Sequence, residues 1–190
     1  MVGPTHQTRS EIATLRVPPR IPPSRPTPPA EPRLARFLAE EIERRLVAVA
    51  DRSDRSVVTI LGDGLFAPGD ATVRADYQGV LARIATALTR VPGQIDVIGH
   101  TDTLPIRTLR FPSNWELSRA RAVSVTKVLE SGGVSRDRIR ADGLGDTQPL
   151  PDASNDTPQG RARNRRVEIT LYQPAGGVPV AGSEQPPRKP

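Results

Sequence analysis

Asp102 and Arg121 are the two side chains whose positions most need a chemical explanation. Arg121 stands four residues after Leu117 and four before Val125, inside the apolar stripe of a helix that should face a core. It is also close to that helix's N-terminus, where the macrodipole disfavours a cation. A guanidinium placed there needs an anionic partner, or must run its head out to water along its aliphatic stem. Asp102 ends the strand-like stretch "QIDVIGHTD", beside the loop that leads into the same helix. A carboxylate and a guanidinium on one rim suit a zwitterion, because the first takes an ammonium and the second grips a carboxylate bidentately. The same two residues could instead form a plain salt bridge fastening loop to helix. Spacing alone leaves both readings open.

Other chemistry finds little support. The chain has two histidines, His6 and His100, and His100 at a strand end reads as a structural hydrogen-bonding residue. His100 and Asp102, two residues apart, fall short of a metal site. No G-x-S-x-G elbow occurs, and Gly143-Leu144-Gly145 is not completed to G-x-G-x-x-G. The chain is therefore read as a binding protein, not an enzyme, with no cofactor and no metal. A net charge of +6, with 25 of the 27 basic residues arginine, permits anionic partners. Nucleic acid is not among those expected: aromatics are sparse, and without cysteine there is no zinc spacing. The lack of cysteine also removes disulfides and thiol chemistry.

The elements that must position these residues lie in the middle of the 190-residue chain. Eight of the 21 prolines fall in 17–32 and five in 173–190, segments that favour extended polyproline II over a core. The expected organisation is an N-terminal segment and Pro-rich linker over 1–32, a domain over 33–172, and a Pro/Gly-rich tail over 173–190. Sixteen linker residues at about 3.1 Å each would reach roughly 50 Å. "MVGPTHQTRS" has no apolar signal region and no stretch is long enough to span a membrane. As written, the chain is neither exported nor anchored, unless residue 1 is not the natural start.

Within 33–172, helices and strands alternate. Leu34, Leu38, Ile42, Leu46 and Val49 have helical spacing, predicting a helix over 33–50. "RSVVTILGDGLF" reads as a strand and turn, and "ATVRADYQGVLARIATALTRVP" as an amphipathic helix. The strand 94–102 follows. Arg121's helix begins at a Ser113/Glu116 capping box and stops at Gly132-Gly133. A brief strand around Ile139, a glycine loop, a short helical turn and a last strand with alternating Val167, Ile169 and Leu171 complete the domain. The fold class is α/β, an α+β sandwich with helices on one face of a sheet. Whether the last strand sits at the edge or the centre is not legible.

The ordered motifs "IGHTD…SNWELSRARAVSV…GLGDTQP…GRARNRRVEITL" resemble the C-terminal OmpA/MotB-like peptidoglycan-binding domain, over roughly 55–172. The resemblance implies a βαβαβ-type sandwich that binds the diaminopimelate of peptidoglycan stem peptides without catalysis. It places Asp102 and Arg121 on the amino and carboxylate ends of diaminopimelate, with Asn114, Thr103, Asn164 and Arg165 as further ligand contacts. On it, Arg121 breaks the apolar stripe because its partner is a ligand. Two departures stand out: "LPIRTLRFPSNW" is longer than in outer-membrane porin members, and Gly69 stands where some members supply a polar contact. "RSVVTILGDGLFAPGDATV" with "LPIRTLRFPSNWELS" most resembles the periplasmic domain of extended TssL (ImpK/DotU-type) of type VI secretion. The implied role is anchoring an inner-membrane secretion component to the wall. The alternative is the same module in a MotB-like stator or another OmpA-family envelope protein. Implied partners are peptidoglycan and other envelope secretion-complex proteins. The implied location is the periplasm, with membrane attachment only through an upstream segment that this sequence lacks. Homodimerisation is left open.

Overall fold

The structure, a computed structural model, describes residues 34–173; the linker of 17–32 and the tail from 174 onward lie outside them. The element order is α1 (Ala39–Glu43), β1 (Ala48–Asp51), β2 (Arg55–Leu61), α2 (Gly62–Leu65), α3 (Ala75–Arg90), β3 (Gln94–His100), α4 (Asn114–Ser131), β4 (Ile139–Gly145), α5 (Pro158–Asn164) and β5 (Arg166–Tyr172). One five-stranded sheet has the order β1-β2-β5-β3-β4. The β3–β4 pair, joined through α4, is parallel; the other pairs are antiparallel. The last strand in sequence is thus the central one.

The expected helix over 33–50 is a misreading. Only 39–43 is helical, and 48–51 forms edge strand β1 paired with β2. The spacing of four from Leu34 to Leu46 fits a helix, but Arg45 adopts a left-handed φ of 57° and turns the chain back. The following Val47-Ala48-Val49-Ala50 then suits a pleated edge.

The core lies between the sheet and a helical layer of α3 and α4. Val58, Ile60, Ile95, Val97, Ile169 and Leu171 from the strands meet Leu81, Ile84, Leu88, Val125 and Leu129 from the helices. Two glycines set how deeply α4 sits. A Cβ on Gly99 would stand 2.1 Å from the Ser118 carbonyl oxygen, and one on Gly143 would stand 2.3 Å from the Arg119 nitrogen. Bare backbone there lets the helix press against β3 and β4, which directs Arg121 toward the end of the sheet where β2 and β3 exit. At the start of α4, Ser113 Oγ accepts the Trp115 N–H at 3.2 Å and contacts the Glu116 carboxylate, so the expected cap is present. Among the described residues no helix is long and apolar enough to cross a membrane.

Candidate functional site

Strand register brings the charged residues together. Leu61 on β2 and His100 on β3 both face Arg166 on the central strand β5. One residue before Arg166, Arg165 therefore lies between the two neighbouring strand exits. Each exit carries an aspartate two residues on, Asp63 after Leu61 and Asp102 after His100. The α2 turn is held against this point by the Gly62 N–H, which donates to the Arg165 carbonyl at 2.7 Å. A Cβ on Gly62 would be only 3.0 Å from that oxygen. The Gly-Asp-Gly of 62–64 is thus what seats Asp63 beside Arg165.

The pocket formed here has a volume of about 420 Å³, and its lining includes Asp63, Phe66, Asp102, Asn114, Arg121 and Arg165. Arg165 Nε and Nη2 donate to the two oxygens of Asp63 at 2.7 and 2.6 Å, while Nη1 donates to Asp102 Oδ2 at 2.5 Å. These contacts, Asp63's first, raise the Arg165 pKa against the opposing cost of burial. The second Asp102 oxygen accepts the Leu104 N–H at 2.9 Å, which folds the start of the loop over the carboxylate.

Arg121 is 5 % exposed and does not reach out to water. Nor does it pair with Asp102; the salt bridge left open by the sequence goes to Arg165 instead. The Arg121 guanidinium lies over the Phe66 ring at 5.0 Å. Its Nε donates to the Asp70 carbonyl at 2.8 Å, with a longer contact of 3.5 Å from Nη2 to Ala67 O. Gly69, in a left-handed φ of 68°, makes the turn that aims those two carbonyls at it. Among the described residues no carboxylate lies within 4.0 Å of Arg121, and its Nη1 has no hydrogen-bond acceptor. Burial presses its pKa down, partly offset by Asp63, and Arg165 pushes the same way as burial. This is a largely buried cation facing a pocket, with no counter-ion in contact among the described residues.

The remaining expected residues divide. Asn114 lines the pocket, but its amide nitrogen is already used, donating to the carbonyls of Asp102 at 3.2 Å and Leu104 at 2.9 Å. It ties the loop to the helix start. Thr103 is exposed and absent from the lining, where its neighbour Thr101 is found. Asn164 is fully buried away from the pocket: its oxygen accepts the Leu150 N–H, and its nitrogen donates to Ala153 O and Asn155 Oδ1. Neither Thr103 nor Asn164 is thus brought to the pocket lining, and Asn164 spends its hydrogen-bonding capacity on the 150–155 loop. Asp63 was missed. Its signal was Gly62-Asp63-Gly64 at a strand exit, which has meaning only once β5 is known to lie alongside.

The longer segment after Asp102 forms the rim. Leu104, Pro105 and Ile106 line the pocket, and Phe111 packs with Ala71 and Leu117 in a small second core. Arg110 reaches Asp70 at 3.2 Å, joining this segment to the 66–71 loop. His100 is not in the lining. It is 2 % exposed, neither ring nitrogen has a hydrogen-bond partner among the described residues, and Glu168 lies 3.9 Å from Nε2. Burial, reinforced by Arg166, pushes its pKa down to about 4. Among the described residues no group of three or more His, Cys, Asp or Glu could hold a metal.

The sequence and the fold have counterparts among known proteins. The chain is similar to the structure of the cell wall anchor of the T6SS from Pseudomonas aeruginosa, at 55 % identity and a TM-score of 0.70, covering 74 % of this chain and 97 % of that one. It is 37 % identical to Motility protein B of Bacillus subtilis (strain 168), over 66 % of this chain and 48 % of that protein. It is 39 % identical to the peptidoglycan-binding protein ArfA of Mycobacterium tuberculosis (strain ATCC 25618 / H37Rv), over 54 % of this chain and 30 % of that protein. The chain spans about half the length of the first curated relatives it matches. The OmpA family profile matches residues 65–165, more than half of the chain, a span that contains Asp102, Arg121 and Arg165. The chain belongs to the OmpA family.

Proposed function

We propose that this domain binds peptidoglycan without catalysis, taking the free amino-acid end of a stem-peptide diaminopimelate in the pocket beside Arg121. The observation that carries the reading is the buried Arg121 guanidinium, which has no carboxylate partner among the described residues and stands in the same pocket as Asp102. A ligand carboxylate supplies the missing counter-ion, through the fork that an arginine offers and a lysine does not. Asp102, aided by the loop that Asn114 fastens, receives the ammonium. The apolar Phe66, Leu104 and Ile106 suit the methylene chain between ligand and peptide. The likeness to the T6SS cell wall anchor favours a role in anchoring an inner-membrane secretion component to the wall, with the domain in the periplasm.

Co-sedimentation with purified sacculi tests the reading. The wild-type chain should pellet with diaminopimelate-type sacculi, and Asp102→Ala should remain in the supernatant with an unchanged circular dichroism spectrum. Folding is expected to survive because Arg165 keeps both bonds to Asp63. Wild-type pelleting by the Asp102→Ala chain would defeat the assignment.

A further inference from the structure

We propose that Asp63 is a positioning residue of this pocket: by holding Arg165 bidentately, it leaves Asp102 able to receive a cationic ligand group. The inference rests on the binding mode given above. Asp63 lies two residues before the span that the family profile matches, so its role is read from this chain's own geometry.

Asp102 is 6 % exposed, and one of its oxygens is already occupied by Arg165 at 2.5 Å. Asp102 and Arg165 alone would sum to zero and offer an incoming ammonium no net attraction. Asp63 changes the count to −1 for the three groups together. It also changes the geometry. Arg165 spends two parallel N–H groups on Asp63 and only one on Asp102, and fork-to-fork pairing is the stronger mode. When an ammonium arrives, Arg165 can release Asp102 Oδ2 and still keep two charge-assisted hydrogen bonds. Without Asp63 its one carboxylate partner among the described residues is Asp102, and it competes directly with the ligand. The exchange needs no large motion, because the Arg165 backbone is fixed by the Gly62 N–H and by the start of β5. Asp63 is half exposed, with its side chain at 53 %, so its replacement leaves no buried cavity.

The test measures how strongly the pocket prefers a free amine. The probes are the tripeptide L-Ala-γ-D-Glu-meso-diaminopimelate and the same peptide acetylated on its distal amine, titrated calorimetrically into the 190-residue chain. The wild type should prefer the free amine by about tenfold or more, the lower end of what close charge pairs contribute to binding. Asp63→Asn should reduce that preference to about threefold or less, and Asp63→Asn with Arg165→Gln should restore it. Removing Arg165 would not repair mere structural damage at Asp63, so recovery in the double variant separates the two explanations. An undiminished preference in Asp63→Asn, or no recovery in the double variant, overturns the proposal while leaving the binding mode standing. A wild type that binds neither peptide defeats the binding mode, and the proposal with it.

Discussion

Replacing Arg121 with leucine separates a ligand-facing cation from a structural one, because the two readings differ in both stability and affinity. The substitution removes one good hydrogen bond, to Asp70 O, and one long one, to Ala67 O. Net contributions of about 1 kcal/mol are usual for such bonds, rising to about 1.5–3 where a charge is involved. Against this, it removes a largely buried cation that Arg165 repels and that no carboxylate contacts among the described residues. It also adds apolar surface over Phe66 and beside Leu117, at about 0.8 kcal/mol per buried methylene. The terms have opposite signs and similar size, so urea unfolding should shift by no more than about 1 kcal/mol in either direction. Binding of the diaminopimelate tripeptide should weaken by about 2–5 kcal/mol, or about thirtyfold to several thousandfold. Both measurements belong on one sample. A stability loss of about 3 kcal/mol or more with affinity retained would refute the reasoning, since that is what breaking a buried structural pair does.

Two further outcomes follow from the frame around the site. Gly99→Ala would drive a Cβ into the Ser118 carbonyl, so α4 must lift; a loss of about 2–4 kcal/mol is expected. Gly79→Ala on α3, where nothing lies within 4 Å, should raise stability by about 0.5–1 kcal/mol, and equal effects of the two in thermal denaturation would contradict the packing described. His100 gives a pH dependence. Its folded pKa of about 4 lies below the unfolded value of 6.5, so the unfolded state binds the extra proton and stability falls as pH drops from about 6.5 toward 4. Between pH 7 and 4.5 the loss from this residue should be about 2–3 kcal/mol, and His100→Asn should flatten that part of the curve; an unchanged slope would count against it.

The parts of this molecule that a sequence reader could see were those set by local pattern. Val80, Leu81, Ile84 and Leu88 announce α3, and Val167, Ile169 and Leu171 announce the last strand, because periods of 3.6 and 2 reflect one-sided burial. Arg121 was visible as a violation of that pattern, a cation at a position where the core would have preferred leucine. The failures come from long-range pairing. Whether 47–50 is helix or strand depends on β2 being available as a partner, and on Arg45 accepting a left-handed turn. Asn164 is offered as a ligand contact by the family resemblance alone. Only the folded 150–155 loop shows where its hydrogen bonds go.

Asp63 is the clearest case of information held in topology. It lies 102 positions from Arg165 in sequence, and nothing local marks them as partners. They meet because β5 enters the sheet between β2 and β3, so that one strand start is flanked by two strand exits. The same register fixes Asp102 on the other side. Of the five charged residues that line the pocket, Asp63, Asp102 and Arg165 are therefore positioned by strand ends, and Arg121 by a helix that Gly99 and Gly143 allow to press against that sheet. Charges held this way cost little reorganisation when a ligand arrives, which is where preorganised electrostatics gains its strength. The segment from Leu104 to Phe111 only covers them. It supplies the apolar part of the rim, through Leu104, Pro105 and Ile106, and leaves the charge pattern to the strand ends and α4.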